Sequence, residues 1–419
     1  MSIQELRAQI TKLDTEIGSQ RALLRKLERD RSLTQRRLNT ILDPMSRLPL
    51  EISSEIFLQT LAQPGALHIP GALHGPMLLL SVCNTWTDIA LATAALWTTM
   101  RIAFPCTRHM KKVVLTWLER ARNRPLSISL QGTFDQDVVG IIWEHGQQLK
   151  QLEISEMEDA RVINALWEGT GPGPLSLLEK LILRGRNADD GLSSREIFQL
   201  LRLAPNLTEC HFVNVHNLHD FDTGEILVLS RLRRLAFGAG ILPDPVVLDH
   251  LSLPHLEALV ITATSTDLLA FLKRSSPPLR ELALGKVSYF PDIVECLHLL
   301  PNLRWFEVLF LESTYVMEQI FAAFIESPSL LPHLDTFVLH LDEEDLDFIP
   351  VFSSFWEDLN RVLIAWRTQL KGFHLILPYK LLGSQMPAPE VITSLRELAV
   401  DGLHVQLTAI ADQWDYTFD

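Results

Sequence analysis

The sequence predicts an α/β protein in three parts: a long N-terminal helix, a small all-helical unit, and an irregular stack of parallel strands and helices. Three observations predict it. Residues 3–42 carry apolar side chains alternately three and four positions apart, with no internal proline. Residues 44–104 hold two short amphipathic stretches on either side of a Gly/Pro-rich loop. Beyond about residue 125 one short apolar pattern recurs at a spacing near 25 residues. The three parts are therefore placed at 1–43, 44–104 and 105–419.

The first part reads as heptads. One seam position holds Ile3, Ile10, Ile17, Leu24, Arg31 and Leu38, and the other holds Leu6, Leu13, Gln20, Leu27, Thr34 and Ile41. Arg7, Asp14, Glu16, Arg21 and Glu28 flank the seam with mixed charge, as in a coiled coil. Asp43-Pro44 ends the run, because the residue before a proline is pushed out of the helical region. Two arrangements satisfy this pattern. The helix either pairs with a second copy to make a homodimer, or folds back on its own domain.

In the second part, Ile52, Ile56 and Leu61 fall on one face of a helix that Pro49 can open. The segment 63–76 follows as a loop that contains GALH twice. A second helix is expected from about Met77, with Leu79, Val82, Cys83, Trp86, Ile89 and Ala90 on its apolar stripe.

The third part repeats an apolar residue, two others, an apolar residue, one other, and an apolar residue. Leu149-Leu152-Ile154, Leu181 with Leu178 and Leu183, and Leu256-Leu259-Ile261 are examples, and Leu395-Leu398-Val400 is the last. Each instance ends in a strand-like alternation. Between instances lie helical stretches, including a capping box of Ser193 with Glu196 and a Val316/Ile320/Phe324 stripe. One strand and one helix per repeat is the pattern of a solenoid, in which each unit buries its apolar edge on its neighbours.

Composition narrows the function classes. The 419 residues are 47% hydrophobic and carry a net charge of −14, which disfavours a nucleic-acid or anionic-membrane surface. The basic residues of 1–42 are spaced along a helix and read as a solvated face. Cys83, Cys106, Cys210 and Cys296 lie far apart, as in a reduced, intracellular protein, so a cytoplasmic or nuclear location is expected. No secretory leader and no membrane-spanning stretch are expected.

Catalytic and metal-binding patterns are not expected either. GTGPGP at 169–174 has no following Gly-Lys-Ser/Thr, and the acidic run 342–347 lacks the glycine and distal glutamate of a calcium loop. The histidines and cysteines show no zinc spacing. Cys83 sits where a small core residue would, and no cofactor is implied.

Taken together, Leu48-Pro49, Ile52, Ile56, Phe57 and Leu61, then Val82-Cys83, Trp86, Ile89-Ala90 and Leu96-Trp97, resemble an F-box. The divided form, with a loop between the helices, is similar to F-box-like proteins abundant in mushroom-forming fungi. Those proteins also tend to carry an N-terminal coiled coil and a degenerate leucine-rich-repeat-like domain, so the resemblance covers the whole chain. Two departures stand out. Family members often have basic residues around the tryptophan, where this chain has Asn84, Thr85 and Thr87. The usual repeat asparagine is replaced by Arg186, Val215, Gly240, Thr264 and Val287.

What the resemblance implies is a substrate-recognition subunit of an SCF-type cullin–RING E3 ubiquitin ligase. It would not be an enzyme itself. Leu48, Pro49, Ile52, Ile56, Phe57, Val82, Cys83 and Trp86 would bind a Skp-type adaptor, which connects to the cullin scaffold. Trp97 and Ile102 would face the solenoid. The alternative is a repeat scaffold in which the F-box-like helices only cap the solenoid.

A protein substrate of unknown identity would lie on the outward face of the strands. By alternation the central row of that face is Glu153, Ile182, His211, Ala236, Val260, Ala283, Glu307, Val338, His374 and Ala399. Lys180, Arg184, Arg234, Trp305 and His340 run beside it. An apolar strip with a charged rim suits a protein partner, and a tail or loop of the same chain could equally cover it. The candidate substrate contacts are Lys180, Arg184, His211, Arg234, Trp305, Glu307 and His340.

Overall fold

A computed structural model describes residues 3–61, 75–104, 110–132, 136–157, 173–185, 194–213, 224–238, 245–262, 264–285, 291–308, 314–327, 329–340, 352–378 and 388–410. The GALH loop, most of GTGPGP, Ser193, the acidic run 342–347, Arg186, Val215, Gly240 and Val287 lie outside the described residues. The chain forms two compact units, Met1–Thr99 with Lys112–Arg124, and Met100–Lys111 with Pro125–Asp419. The first unit takes residues from all three of the parts expected at 1–43, 44–104 and 105–419.

The first unit is helical. Helix α1, Ile3–Leu42, has no buried residue. Its last turns are held by their polar side: Arg36 donates to Thr87 Oγ1 at 2.9 Å and Asn39 Nδ2 to the Val82 carbonyl at 2.9 Å. A 3-10 turn, Pro44–Arg47, follows, then α2, Leu50–Leu61. The expected second helix is two helices, α3 at Pro76–Val82 and α4 at Asn84–Ala92. Cys83 stands between them in extended backbone, ending one helix and opening the next. Leu79, Cys83, Ile89 and Ala90 all reach the core across that break.

Trp97 is fully buried within this unit. Its ring meets Trp117 edge-on at 5.0 Å, the Arg120 guanidinium lies 4.5 Å from its centroid, and its N–H donates to the Ala90 carbonyl. Trp97 is therefore an anchor of the helical unit, where a solenoid contact was expected.

The second unit is built on a parallel sheet of 12 strands. Its strands are β1 (Thr99–Ala103), β2 (Leu126–Gln131), β3 (Leu149–Met157), β4 (Lys180–Gly185), β5 (Glu209–Val213), β7 (Arg234–Gly238) and β9 (Ala258–Ile261), then β10 (Glu281–Leu284), β11 (Trp305–Val308), β12 (Thr336–His340), β13 (Gly372–Pro378) and β14 (His404–Ile410). They stack in chain order. The short β6 (Leu227–Val228) and β8 (Leu251–Ser252) pair separately. Helices such as Ser265–Ser275, Thr314–Glu326 and Phe352–Trp366 lie between strands in the chain.

Register explains the recurring pattern. Leu181, Cys210, Leu235, Leu259, Leu282, Phe306, Phe337 and Phe373 align across eight strands, all buried. Phe306 and Phe337 stack at 5.7 Å, and Phe212 and Phe237 at 5.5 Å. Val316, Ile320 and Phe324 are buried along the helix Thr314–Glu326, as the stripe predicts.

Two expectations about the sheet are corrected. Leu395-Leu398-Val400 is helical, not a strand: it lies in Pro389–Val400, and the strand follows at His404–Ile410. Val391, Leu395 and Leu398 repeat at helical spacing behind a proline in the first turn, so the same letters satisfy both patterns. The sheet also begins earlier than the pattern, with β1 inside the part expected to be all helical.

Where the repeat asparagine is missing, Thr264 shows one substitute. Its hydroxyl accepts from the Asp267 N–H and caps the helix Ser265–Ser275.

Candidate functional site

In the helical unit the site is assembled around Asp43. Because Asp43 precedes Pro44, it takes an extended conformation and caps the 3-10 turn, accepting from the Met45 N–H at 3.0 Å. The same oxygen accepts from Trp86 Nε1 at 3.0 Å, and the second oxygen accepts from the Cys83 thiol at 3.7 Å. The Trp86 ring is half-buried and meets Phe57 at 4.9 Å. One buried carboxylate thus joins the end of α1, the α3–α4 break and the α4 tryptophan.

Behind this latch, α2 is two-faced. Ser53 and Phe57 point inward, with Phe57 only 2% exposed. Leu48 and Pro49 just before the helix, and Ile52 and Ile56 beside its buried edge, are exposed, Ile52 at 51% and Leu48 at 40%. Leaving branched and leucine side chains in water is unfavourable unless something covers them.

The eight expected adaptor contacts therefore divide. Leu48, Pro49, Ile52 and Ile56 share an accessible stripe, and Val82 and Trp86 are partly accessible. Phe57 and Cys83, expected on the docking face, are instead core residues, Cys83 with no exposed surface. They can shape a partner-facing surface only by positioning Trp86 and α2. Asp43 was not among the expected residues. Its signal was present, since an Asp-Pro step at the end of a helix is a natural cap.

On the sheet, the expected substrate contacts form two clusters on strands that are far apart in the order. Lys180, Arg184, His211 and Arg234 gather on β4, β5 and β7, where Lys180 pairs with Glu209 at 2.6 Å. Trp305, Glu307 and His340 gather on β11 and β12. The indole of Trp305 donates to Glu307 at 3.1 Å, and His340 Nε2 lies 2.7 Å from the other carboxylate oxygen. His374 and His404 extend this second cluster. His374 meets Trp305 edge-on at 6.2 Å and His404 at 5.7 Å. His404 escaped the sequence reading because the last strand was placed one helix too early.

The apolar strip expected between these clusters is closed to solvent. Ala236, Val260, Ala283 and Val338 are all buried, as are His211, Glu307 and His340. Ala258–Ile261 is buried on both faces, which is how a strand of a covered parallel sheet reads. The near-continuous apolar runs ALVI and FVL carried that signal. Lys180, Arg184, Arg234 and Trp305 remain partly accessible.

Burial sets the protonation of the imidazoles. His211 is pushed down to about 4, first by burial and then by the nearby cations Lys180, Arg184 and Arg234, with Glu209 opposing. His374 is also lowered, by burial and by His404, against the pull of Glu307. Burial drives the Cys296 thiol up to about 12 and raises that of Cys210 further. These are inert core thiols.

Among the described residues no group of three or more His, Cys, Asp and Glu could hold a metal ion, and no helix is long and apolar enough to cross a membrane. No protein-family model matches the chain, and no curated protein matches it.

Proposed function

We propose that this chain is the substrate-recognition subunit of an SCF-type cullin–RING ubiquitin ligase. The helical unit would be a divergent F-box that docks on a Skp-type adaptor, and through it on the cullin. The sheet unit would be a leucine-rich-repeat-like solenoid that holds a target protein. One observation carries the reading: the exposed run Leu48, Pro49, Ile52 and Ile56 at the start of a helix whose Phe57 packs on Trp86, which Asp43 in turn holds. A stripe of this kind, rigid and apolar, suits a partner groove that takes a helix face. The rival reading, a helical unit that only caps a scaffold, gives this apolar stripe no role.

In this reading the chain breaks and makes no bonds. It raises the effective concentration of its target near the charged ubiquitin-conjugating enzyme. Target contacts would come from the partly accessible Lys180, Arg184, Arg234 and Trp305, with Glu307, His340 and His211 holding them in place. Co-expression with a Skp-type adaptor tests the proposal: a stable complex on gel filtration supports it, and separate elution of the two proteins overturns it.

A further inference from the structure

We infer that α1 is one strand of a parallel, two-stranded coiled coil whose other strand is a second copy of this chain. This inference does not depend on adaptor docking. The first ground is exposure. Every seam residue of α1 lies in water, Ile17 at 47% and Ile41 at 81%, over nearly six heptads. An isolated helix with such a stripe gains stability chiefly by covering it.

The second ground is how α1 is held. Its hydrogen bonds to the helical unit come from Arg36 and Asn39, on the helix face away from the seam, and of the seam residues only Arg31 lines the hollow shared with Ser81 and Val82. The seam stays open even at Leu38, one residue from the anchor. The unit therefore grips the back of the helix and presents its apolar edge.

The third ground selects the occupant. Ile3, Ile10 and Ile17 at the first seam position, with Leu6 and Leu13 at the second, is the combination that favours two parallel strands. In that register Glu16 faces the partner's Arg21, and the flanking positions bring no like charges together. Arg31, the one charge in the seam, meets the partner's Arg31 and lies beside the partner's Asp30, which offsets the like charge. The antiparallel arrangement with full overlap does the opposite. It sets Asp14 against the partner's Glu28, Glu16 against the partner's Asp30, and Arg21 against the partner's Arg21. Relieving those clashes needs a slip of one heptad, which removes seam from the contact.

Sedimentation of the full chain, with cysteine cross-linking, tests this. The wild-type chain is expected at twice the 47.5 kDa of a single chain. Ile10→Glu/Ile17→Glu is expected to sediment as a monomer with unchanged thermal unfolding of the rest, since neither side chain is buried in the chain. Under mild oxidation Ile10→Cys should cross-link to itself, and a mixture with Thr34→Cys should give no mixed disulfide. Cys83, Cys210 and Cys296 are buried, and a Cys106→Ser chain serves as the background for both cysteine variants. A monomeric wild type, a larger assembly, or a dimer indifferent to the double glutamate overturns the inference. A dimer in which Ile10→Cys fails to pair with itself overturns the parallel orientation.

Discussion

Trp86 donates its indole N–H to Asp43 at 3.0 Å, joining the residue that ends α1 to the middle of α4. Asp43 is nearly buried and also accepts from Met45 and Cys83. Replacing it with alanine removes three interactions and strands the Trp86 donor. Asp43→Ala is expected to lose about 1–3 kcal/mol. Asp43→Asn keeps an acceptor and should lose less. Thermal unfolding of both variants checks the order.

Glu307 holds two groups at once, the Trp305 N–H and His340 Nε2, from a site that is only 4% exposed. Glu307→Ala leaves both without that acceptor and is expected to destabilise the sheet unit by about 1–3 kcal/mol for each buried group stranded. Glu307→Gln retains one acceptor oxygen and should fall between. Urea unfolding at neutral pH gives the comparison.

Much of this architecture is legible in the letters. The seam of α1, the inward row from Leu181 to Phe373, and the Val316 stripe follow from periods of 3.5, 2 and 3.6. What the letters hide are choices decided by tertiary packing. The apolar spacing around Cys83 fits one continuous helix, and the change of chain direction there is not written in it. Leu395-Leu398 fits a strand motif and a helix stripe alike, and only the following strand resolves it. Alternation marks which residues of the outward row oppose the core, and it leaves open whether a partner or the chain itself covers that side. Phe57 belongs to the same recognised motif as Ile52, yet only α2's rotation about its axis decides which of them faces out.

His211 makes stability depend on pH. Its folded value, about 4, lies below the usual 6.5, so between those values the unfolded chain binds the extra proton. Its contribution is complete above pH 6.5 and is lost as pH falls toward 4, by roughly 3 kcal/mol at pH 4. His374 acts in the same direction. His211→Gln should flatten the pH dependence of thermal unfolding between pH 7 and 4; an unchanged slope would remove His211 from the explanation.

Trp305 is partly accessible at the start of β11, while its N–H is committed to Glu307. Aromatic anchors of this kind carry much of the energy at protein interfaces. Trp305→Ala is expected to lose capture of target proteins while binding the adaptor as the wild type does. Equal capture by both, quantified from the same lysate, would refute its role.

The docking stripe is where the account is most exposed to test. Pro49 and Ile52 are exposed, so Pro49→Ala/Ile52→Ala should change folding stability by no more than about 0.5 kcal/mol per site. The decisive measurement is titration calorimetry of the full chain against a purified Skp-type adaptor. The wild type is expected to bind one adaptor per chain, and the double variant at least tenfold more weakly, a difference of about 1.4 kcal/mol or more. No heat of binding from the wild type, or equal affinity in the folded double variant, would contradict the proposed function.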